Sequence, residues 1–314
     1  MELKGRELVS EHRSYLMGIA IIWIMIHHTQ FFGLYDFGYL SFLARIGSCG
    51  VDIFLFVSAF GLFYSLSKNS NLRVFYSRRL QRVVPTFVIV VVGLALFTKP
   101  LSLLSPRYWF YQLYSNWYVS FILIMYLIYP LIYHVQRKHL YLPLLLGIVF
   151  SCLLTYLLIR INRDDIHDVP MLMAQRIPIF ILGSLFADER FRIKGTVWTF
   201  LVTIILVCIL LFYSYRLVAE YMVYPLFFFL SGILVVLLSN FWMKWVDKPL
   251  VYSGKISLEL YLVHMIIIPY MVRHHFTAEF GVVCSIFLLL VSSFIIAIII
   301  NKVTSLLNVS VLKI

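Results

Sequence analysis

Residues 280–301 read FGVVCSIFLLLVSSFIIAIIIN, 22 positions without one Asp, Glu, Lys, Arg or His. At about 1.5 Å of rise per residue a helix of this length reaches about 33 Å, close to the roughly 30 Å of a bilayer's hydrocarbon core. Water-soluble domains do not need so long a charge-free run. In lipid it is the economical solution, because a helix satisfies its own backbone donors and acceptors.

Runs of the same kind recur along the 314-residue chain, which is 62% hydrophobic and only 13% charged, with mean hydropathy +0.94. That composition excludes a soluble globular protein, a disordered chain and a secreted disulfide scaffold. The expectation is an all-α polytopic membrane protein of about ten transmembrane helices, near 14–32, 44–66, 82–98, 116–135, 140–160, 170–187, 196–214, 219–240, 256–272 and 280–301. The sixth and ninth are interrupted by Arg176, Pro178 and Pro269. No long polar segment is left over, so residues 1–314 read as one integral membrane domain without an appended soluble one. The first run carries His27, His28 and Gln30 and reads as a retained span rather than a cleaved leader. The four cysteines are far apart and form no CxxC pair, so they read as buried free thiols and not as a metal or disulfide framework.

Charge sets the orientation. With a cytoplasmic N-terminus, inside segments hold 18 of the 26 Lys and Arg residues and outside segments 7, with Arg176 inside a span. By the positive-inside rule both termini are expected in the cytoplasm. The net charge of +12 then reads as topology signal and phospholipid contact, not nucleic-acid binding.

Ionisable groups within a span are costly and normally face the bundle interior. They are His27, His28, Asp52, Arg176, Glu259 and His264. Adjacent His27 and His28 point about 100° apart, so one of them is expected to face the bundle centre. A neutral imidazole there can act as a general base, or simply hydrogen-bond near the interface. Asp52 reads either as an acid partner or as the ion-pair partner of Arg45. FYSRRLQRVVP (75–85) is the most basic stretch. Arg79 and Arg82 lie one turn apart, suited either to anionic lipid or to a phosphate clamp, with Pro85 at the start of the span proper. Tyr261 and His264 share a face of one helix; Glu259 lies about 140° from His264. Aromatic belts account for Trp117 and Tyr118. No metal-ligand cluster, pump-like acid chain, selectivity filter or nucleotide-binding loop is found.

Four segments, YLMGIAIIWIMIHHT, GVDIFLFVSAFGL, FYSRRLQRVVP and ISLELYLVH, resemble in order and spacing the acyltransferase 3 family, mostly bacterial integral membrane O-acyltransferases that modify surface sugars. The likeness covers the first 130 residues well and 250–270 fairly; the middle is carried by hydropathy. The family's first-span histidine falls on His28, while its arginine position, eleven residues earlier, is Met17. Arg13, one turn before, would point away from the site. The second-span motif is matched at Gly50, Asp52, Phe54 and Ser58, with Leu55 and Ala59 as departures. Arg79, Arg82 and Pro85 match the third motif and Tyr261, Leu262 and His264 the last.

The resemblance implies a bacterial inner-membrane enzyme. It would move an acyl group, acetyl first of all, from cytoplasmic acyl-CoA to a hydroxyl of a polysaccharide or lipid-linked sugar. His28 would be base or acyl relay and Asp52 its orienting acid. Arg79 and Arg82 would hold the donor's phosphates. Glu259, Tyr261 and His264 would line the acceptor site with Ser58, and Ser58 or Tyr261 would supply an oxyanion donor. From Arg13 to His28 a helix climbs about 22 Å, comparable to a pantetheine arm. No metal is implied. A polysaccharide transporter or flippase, and a non-catalytic member lacking the Met17-position arginine, remain the alternatives.

Overall fold

The computed structural model describes residues 4–161, 169–191 and 247–311. They form helices, with no strand among them. In chain order these are α1 (Lys4–Glu11), α2 (Arg13–Phe31), α3 (Ser41–Arg45), α4 (Cys49–Lys68), α5 (Leu72–Thr98), α6 (Pro106–Ser115), α7 (Trp117–Lys138), α8 (Leu142–Ile161), α9 (Val169–Gln175), α10 (Ile177–Ala187), α11 (Asp247–Lys255), α12 (Ser257–Arg273), α13 (Phe276–Phe280) and α14 (Val282–Val311). Five helical segments are long and apolar enough to cross a membrane: Leu43–Lys68, Leu72–Thr98, Trp117–Lys138, Val169–Ala187 and Val282–Leu307; the pair α11 and α12, bent by 80°, is a sixth if taken as one broken span. The chain is thus a multi-pass membrane protein. The expected spans at 196–214 and 219–240 lie outside the described residues. The 14–32 run forms α2, whose polar end at His27, His28, Thr29 and Gln30 lowers its apolar character, and the 140–160 run forms the shorter apolar helix α8.

One sequence expectation about a helix end is corrected. Pro85 does not start a span; it lies inside the 27-residue α5, which carries the arginine cluster and the apolar run as one helix. Proline removes one backbone bond and crowds the preceding turn. Beside it the Thr86 hydroxyl donates to the Arg82 carbonyl at 3.4 Å. The expected span at 170–187 is matched by the helical segment Val169–Ala187, and the interruption expected at Arg176 and Pro178 lies between α9 and α10, where Arg176 has φ −95° and ψ 0° and Pro178 follows within the first turn, where its missing N–H is tolerated.

Contacts divide the chain into two compact units. Among the described residues the first comprises 4–13, 52–72, 124–161 and 169–191. Here α10 meets α4 backbone to backbone: a Cβ on Gly183 would stand 2.2 Å from the Phe56 carbonyl oxygen. Phe186 fits beside Phe56 and Phe60, with ring centroids 5.6 and 6.2 Å away. Beneath them runs a buried polar network. The Tyr129 and Ser184 hydroxyls are 2.8 Å apart. Ser184 donates to Gln136 Oε1 at 2.8 Å, and Gln136 Nε2 donates back to the Ser184 carbonyl at 3.2 Å and to Asp188 at 3.4 Å. Arg190 closes it, donating to Asp188 at 2.7 Å and to the Gln136 and Arg137 carbonyls. Arg6 of α1 donates to the carbonyls of Phe186 and Phe191, serving orphan acceptors at the end of α10.

Among the described residues the second unit comprises 14–51, 73–123 and 247–311. Its organising contact is a reciprocal glycine packing of α2 against α11. A Cβ on Gly18 would lie 1.9 Å from the Leu250 carbonyl oxygen, and one on Gly254 would lie 1.8 Å from the Ser14 carbonyl oxygen. On the side of the 46–50 turn, Gly47 and Gly50 would each collide at 2.6 Å with a carbonyl of α2, those of Trp23 and Ala20. Small residues let helices without a hydrophobic drive in lipid approach to dispersion distance. Further along, Leu34, Ile268, Met271 and Leu289 form a packed cluster, and α12 runs against α14.

Two more expectations change. Cys152 and Cys284 are exposed and Cys49 is half-buried, so these thiols are not core residues; an apolar run in a membrane helix presents one face to lipid, not only to the bundle. Tyr118 is 8% exposed and its ring lies 5.1 Å from that of Tyr261, so it is an interior aromatic rather than part of an interfacial belt.

Candidate functional site

The second unit brings together His28 and His264, 236 positions apart in sequence. His28 Nδ1 lies 2.7 Å from His264 Nε2, and the rings stack with centroids 5.0 Å apart at 24°. His264 is fully buried; His28 is half-buried. The other nitrogen of His264, Nδ1, is 2.7 Å from the Leu260 carbonyl oxygen. A carbonyl only accepts, so His264 Nδ1 carries the proton. A neutral imidazole has one N–H, so His264 Nε2 accepts and His28 Nδ1 donates. With both rings neutral, the free lone pair falls on His28 Nε2. The protons are assigned from this order of partners, which is the way a second ring nitrogen ordinarily fixes the tautomer of a working histidine.

Aromatic rings surround the pair. Tyr261 stands 5.6 Å from His264 and 6.5 Å from His28, and Phe32 stands 5.8 Å from His28. His27 keeps its ring 5.3 Å from that of His28 but has its Nδ1 3.1 Å from the Ala44 carbonyl oxygen. Of the two adjacent histidines, His28 is the one bonded to His264.

Five residues before His264, Glu259 is fully buried. Arg82 grips it with both ends of its guanidinium, Nη1 to Oε1 at 2.8 Å and Nη2 to Oε2 at 3.3 Å, while Nη2 also donates to the Lys255 carbonyl at 3.0 Å. Asn301 of α14 adds Nδ2 to Oε1 at 3.1 Å. The paired fork geometry is the strong form of an arginine–carboxylate bond. Arg82 keeps 44% of its side chain exposed. Arg79, one turn earlier, lies over the Phe75 ring at 5.8 Å.

In the first unit, Asp52 forms its ion pair with Arg176, Oδ1 to Nε at 3.4 Å, with both side chains buried. Arg45 is not the partner that this ion pair uses. Arg176 also donates to the Leu172 carbonyl at 3.1 Å. Ser58 is half-buried on α4. Arg13 packs its guanidinium against Gly61, where a Cβ would stand 2.9 Å from Nη1.

Sequence reasoning missed Asn301 and the Leu260 carbonyl. Asn301 had a signal, an amide at the end of the otherwise apolar 280–301 run. The carbonyl had none, since every residue carries one. Among the described residues no group of three or more His, Cys, Asp or Glu is placed to hold a metal ion.

The described residues are those of a multi-pass helical membrane protein with two histidines hydrogen-bonded to one another. The family model described as Acyltransferase domain (Acyl_transf_3) matches residues 15–302, and the chain belongs to that acyltransferase 3 family. Neither the curated proteins nor the solved structures contain a match to it.

Proposed function

We propose that this membrane acyltransferase moves an acyl group, acetyl first of all, from cytoplasmic acyl-CoA to a hydroxyl of a polysaccharide or lipid-linked sugar. The reading has ten spans, both termini cytoplasmic and a bacterial inner membrane as its setting. The observation that carries it is the directed chain from the Leu260 carbonyl through His264 to His28, which leaves a basic nitrogen on His28 Nε2.

The chemistry follows from that atom. His28 Nε2 takes the proton of the acceptor hydroxyl as its oxygen attacks the thioester carbonyl carbon. The carbon–sulfur bond breaks, and the CoA thiolate leaves with the proton returned from His28. The charge that forms on His28 is shared toward His264 through the 2.7 Å bond. Tyr261, beside both rings, is suited to donate its hydroxyl to the developing oxyanion; Ser58 is the other hydroxyl proposed for that task. Arg79 and the exposed side of Arg82 would meet the donor's phosphates, as paired guanidinium donors do. Asp52, ion-paired with Arg176, stays the acid proposed from its motif. Met17 leaves the family's first-span arginine position without a cation.

The test is transfer of labelled acetyl from acetyl-CoA to membrane glycan, in membranes with and without the protein. Label should appear only with the protein and be lost in His28→Ala at unchanged protein level. Full labelling by His28→Ala would reject the mechanism, and glycan export without labelling would favour a transporter.

A further inference from the structure

The break between α11 and α12 bends the chain by 80° at Ile256. Such a break leaves the last carbonyls of one helix and the first N–H groups of the next without helical partners, so its angle has to be set by other groups. Arg82 reaches both sides of it. One nitrogen holds the Lys255 carbonyl at the end of α11, and the guanidinium as a whole holds Glu259 in the first turn of α12. Asn301 steadies the same carboxylate from α14. A fully buried carboxylate remains charged only if it is paired and hydrogen-bonded, so these partners also keep Glu259 in place. The next residue is Leu260, whose carbonyl fixes the proton on His264 and through it the proton on His28.

We propose that Arg82, acting through Glu259, is a positioning residue for the histidine pair: it holds the first turn of α12 where the Leu260 carbonyl directs the tautomers of His264 and His28. This rests on the proposed function and adds to it. The outward side of Arg82 is left for the donor, while its inward side orders the base. Loss of the Arg82–Glu259 pair therefore disorders the relay even where donor binding survives.

Nitrogen-15 NMR of histidine-labelled full-length protein in lipid nanodiscs reads the tautomers directly, with His28→Asn and His264→Asn assigning the two rings. The wild type should show both rings protonated at Nδ1. In Glu259→Gln the His28 signal should become a mixture of tautomers. The rate constant kcat should fall about tenfold or more, with KM for acetyl-CoA within about twofold, the signature of lost transition-state positioning rather than lost binding. Arg82→Leu, which removes the bonds to Glu259 and to the Lys255 carbonyl together, should give the same mixture of tautomers. If Glu259→Gln does not accumulate, Asn301→Ala weakens the same carboxylate's hold and should give the same mixture in smaller degree. Unchanged tautomers in these variants, or a change confined to KM in Glu259→Gln, would overturn the proposal. Absence of acyl transfer in the wild type would remove the proposed function alone, since the NMR result still decides the positioning role.

Discussion

The Ser184 network of the first unit and the His264 network of the second use similar materials and end differently. Each buries several polar side chains among apolar helices, and each contains an arginine–carboxylate pair. Around Ser184 the bonds run back on themselves. Serine and glutamine exchange donors, and Arg190 returns to the backbone at Gln136 and Arg137. A network that closes in this way is suited to stability. Around His264 the bonds run in one direction, from a backbone carbonyl through two rings, and finish on a nitrogen with a lone pair. A buried polar group is costly unless satisfied, so an open end is the kind of feature a fold retains for chemistry.

The sharpest way to break this contrast is to remove the open end while keeping its hydrogen bond. In His28→Asn the amide nitrogen can still donate to His264, but no base remains. Transfer should fall by roughly 10²–10⁴-fold, the usual contribution of a general base, with thermal stability in detergent nearly unchanged. A large loss of stability together with activity would make His28 a structural residue of the same kind as Ser184.

Next in size is the Asp52–Arg176 pair. Both side chains are buried, so Arg176→Leu takes the ion-pair partner from a buried carboxylate and should cost about 3–5 kcal/mol. The double variant Asp52→Leu/Arg176→Leu should recover most of that loss, because a buried pair exchanged for apolar residues is often neutral. Denaturant unfolding in detergent measures both. Failure of the double variant to recover would show that Asp52 does more than neutralise Arg176.

Glycine packing separates the two kinds of helix contact in a similar way. Gly254→Ala places a methyl within 1.8 Å of the Ser14 carbonyl and should destabilise by at least the roughly 1–3 kcal/mol of ordinary overpacking. At Gly93, inside α5, a Cβ meets nothing within 4 Å, and alanine should stabilise by about 0.5–1 kcal/mol. Equal shifts in the two melting temperatures would contradict the close approach of α2 and α11.

What could be read beforehand follows from the same distinction. Apolar length located α7 and α8 to within about three residues at both ends, the end of α4 and the start of α14, while α14 runs on to Val311, beyond the expected end at 301. Hydropathy could not show that α5 begins at Leu72, because arginines continue a helix as readily as valines do, and Pro85 therefore resembled a beginning. The motif residues His28, Glu259, Tyr261 and His264 were visible one by one. Their partners were not, since no periodicity links positions 28 and 264, or 52 and 176. Charge balance suggested Arg45 for Asp52 because it is near in sequence; the fold supplied Arg176 instead. Asn301 passed unnoticed because one amide barely alters the hydropathy of a long apolar helix.

The smallest effect concerns the closed network and depends on pH. Asp188 follows the end of α10. Burial alone would push its carboxyl up, but hydrogen bonds from the Arg190 side chain and backbone, the Arg190 charge and Gln136 outweigh it and hold the group below the usual carboxylate range. A carboxyl whose folded pKa lies below its unfolded value stabilises the fold above that unfolded value, about 3.9 for Asp, and loses the contribution as pH falls through the folded value. Asp188→Asn should therefore be less stable than the wild type at neutral pH, by roughly 1–3 kcal/mol as for a hydrogen bond to a charged group. Arg190 is partly exposed, so solvent screening places the expected value at the low end of that range. The two proteins should converge as the pH is lowered below about 4. Melting curves across pH 3–7 would show it. A difference that persists undiminished at the acid end would mean that Asp188 contributes shape rather than charge, and that the Ser184 network closes without its ion pair.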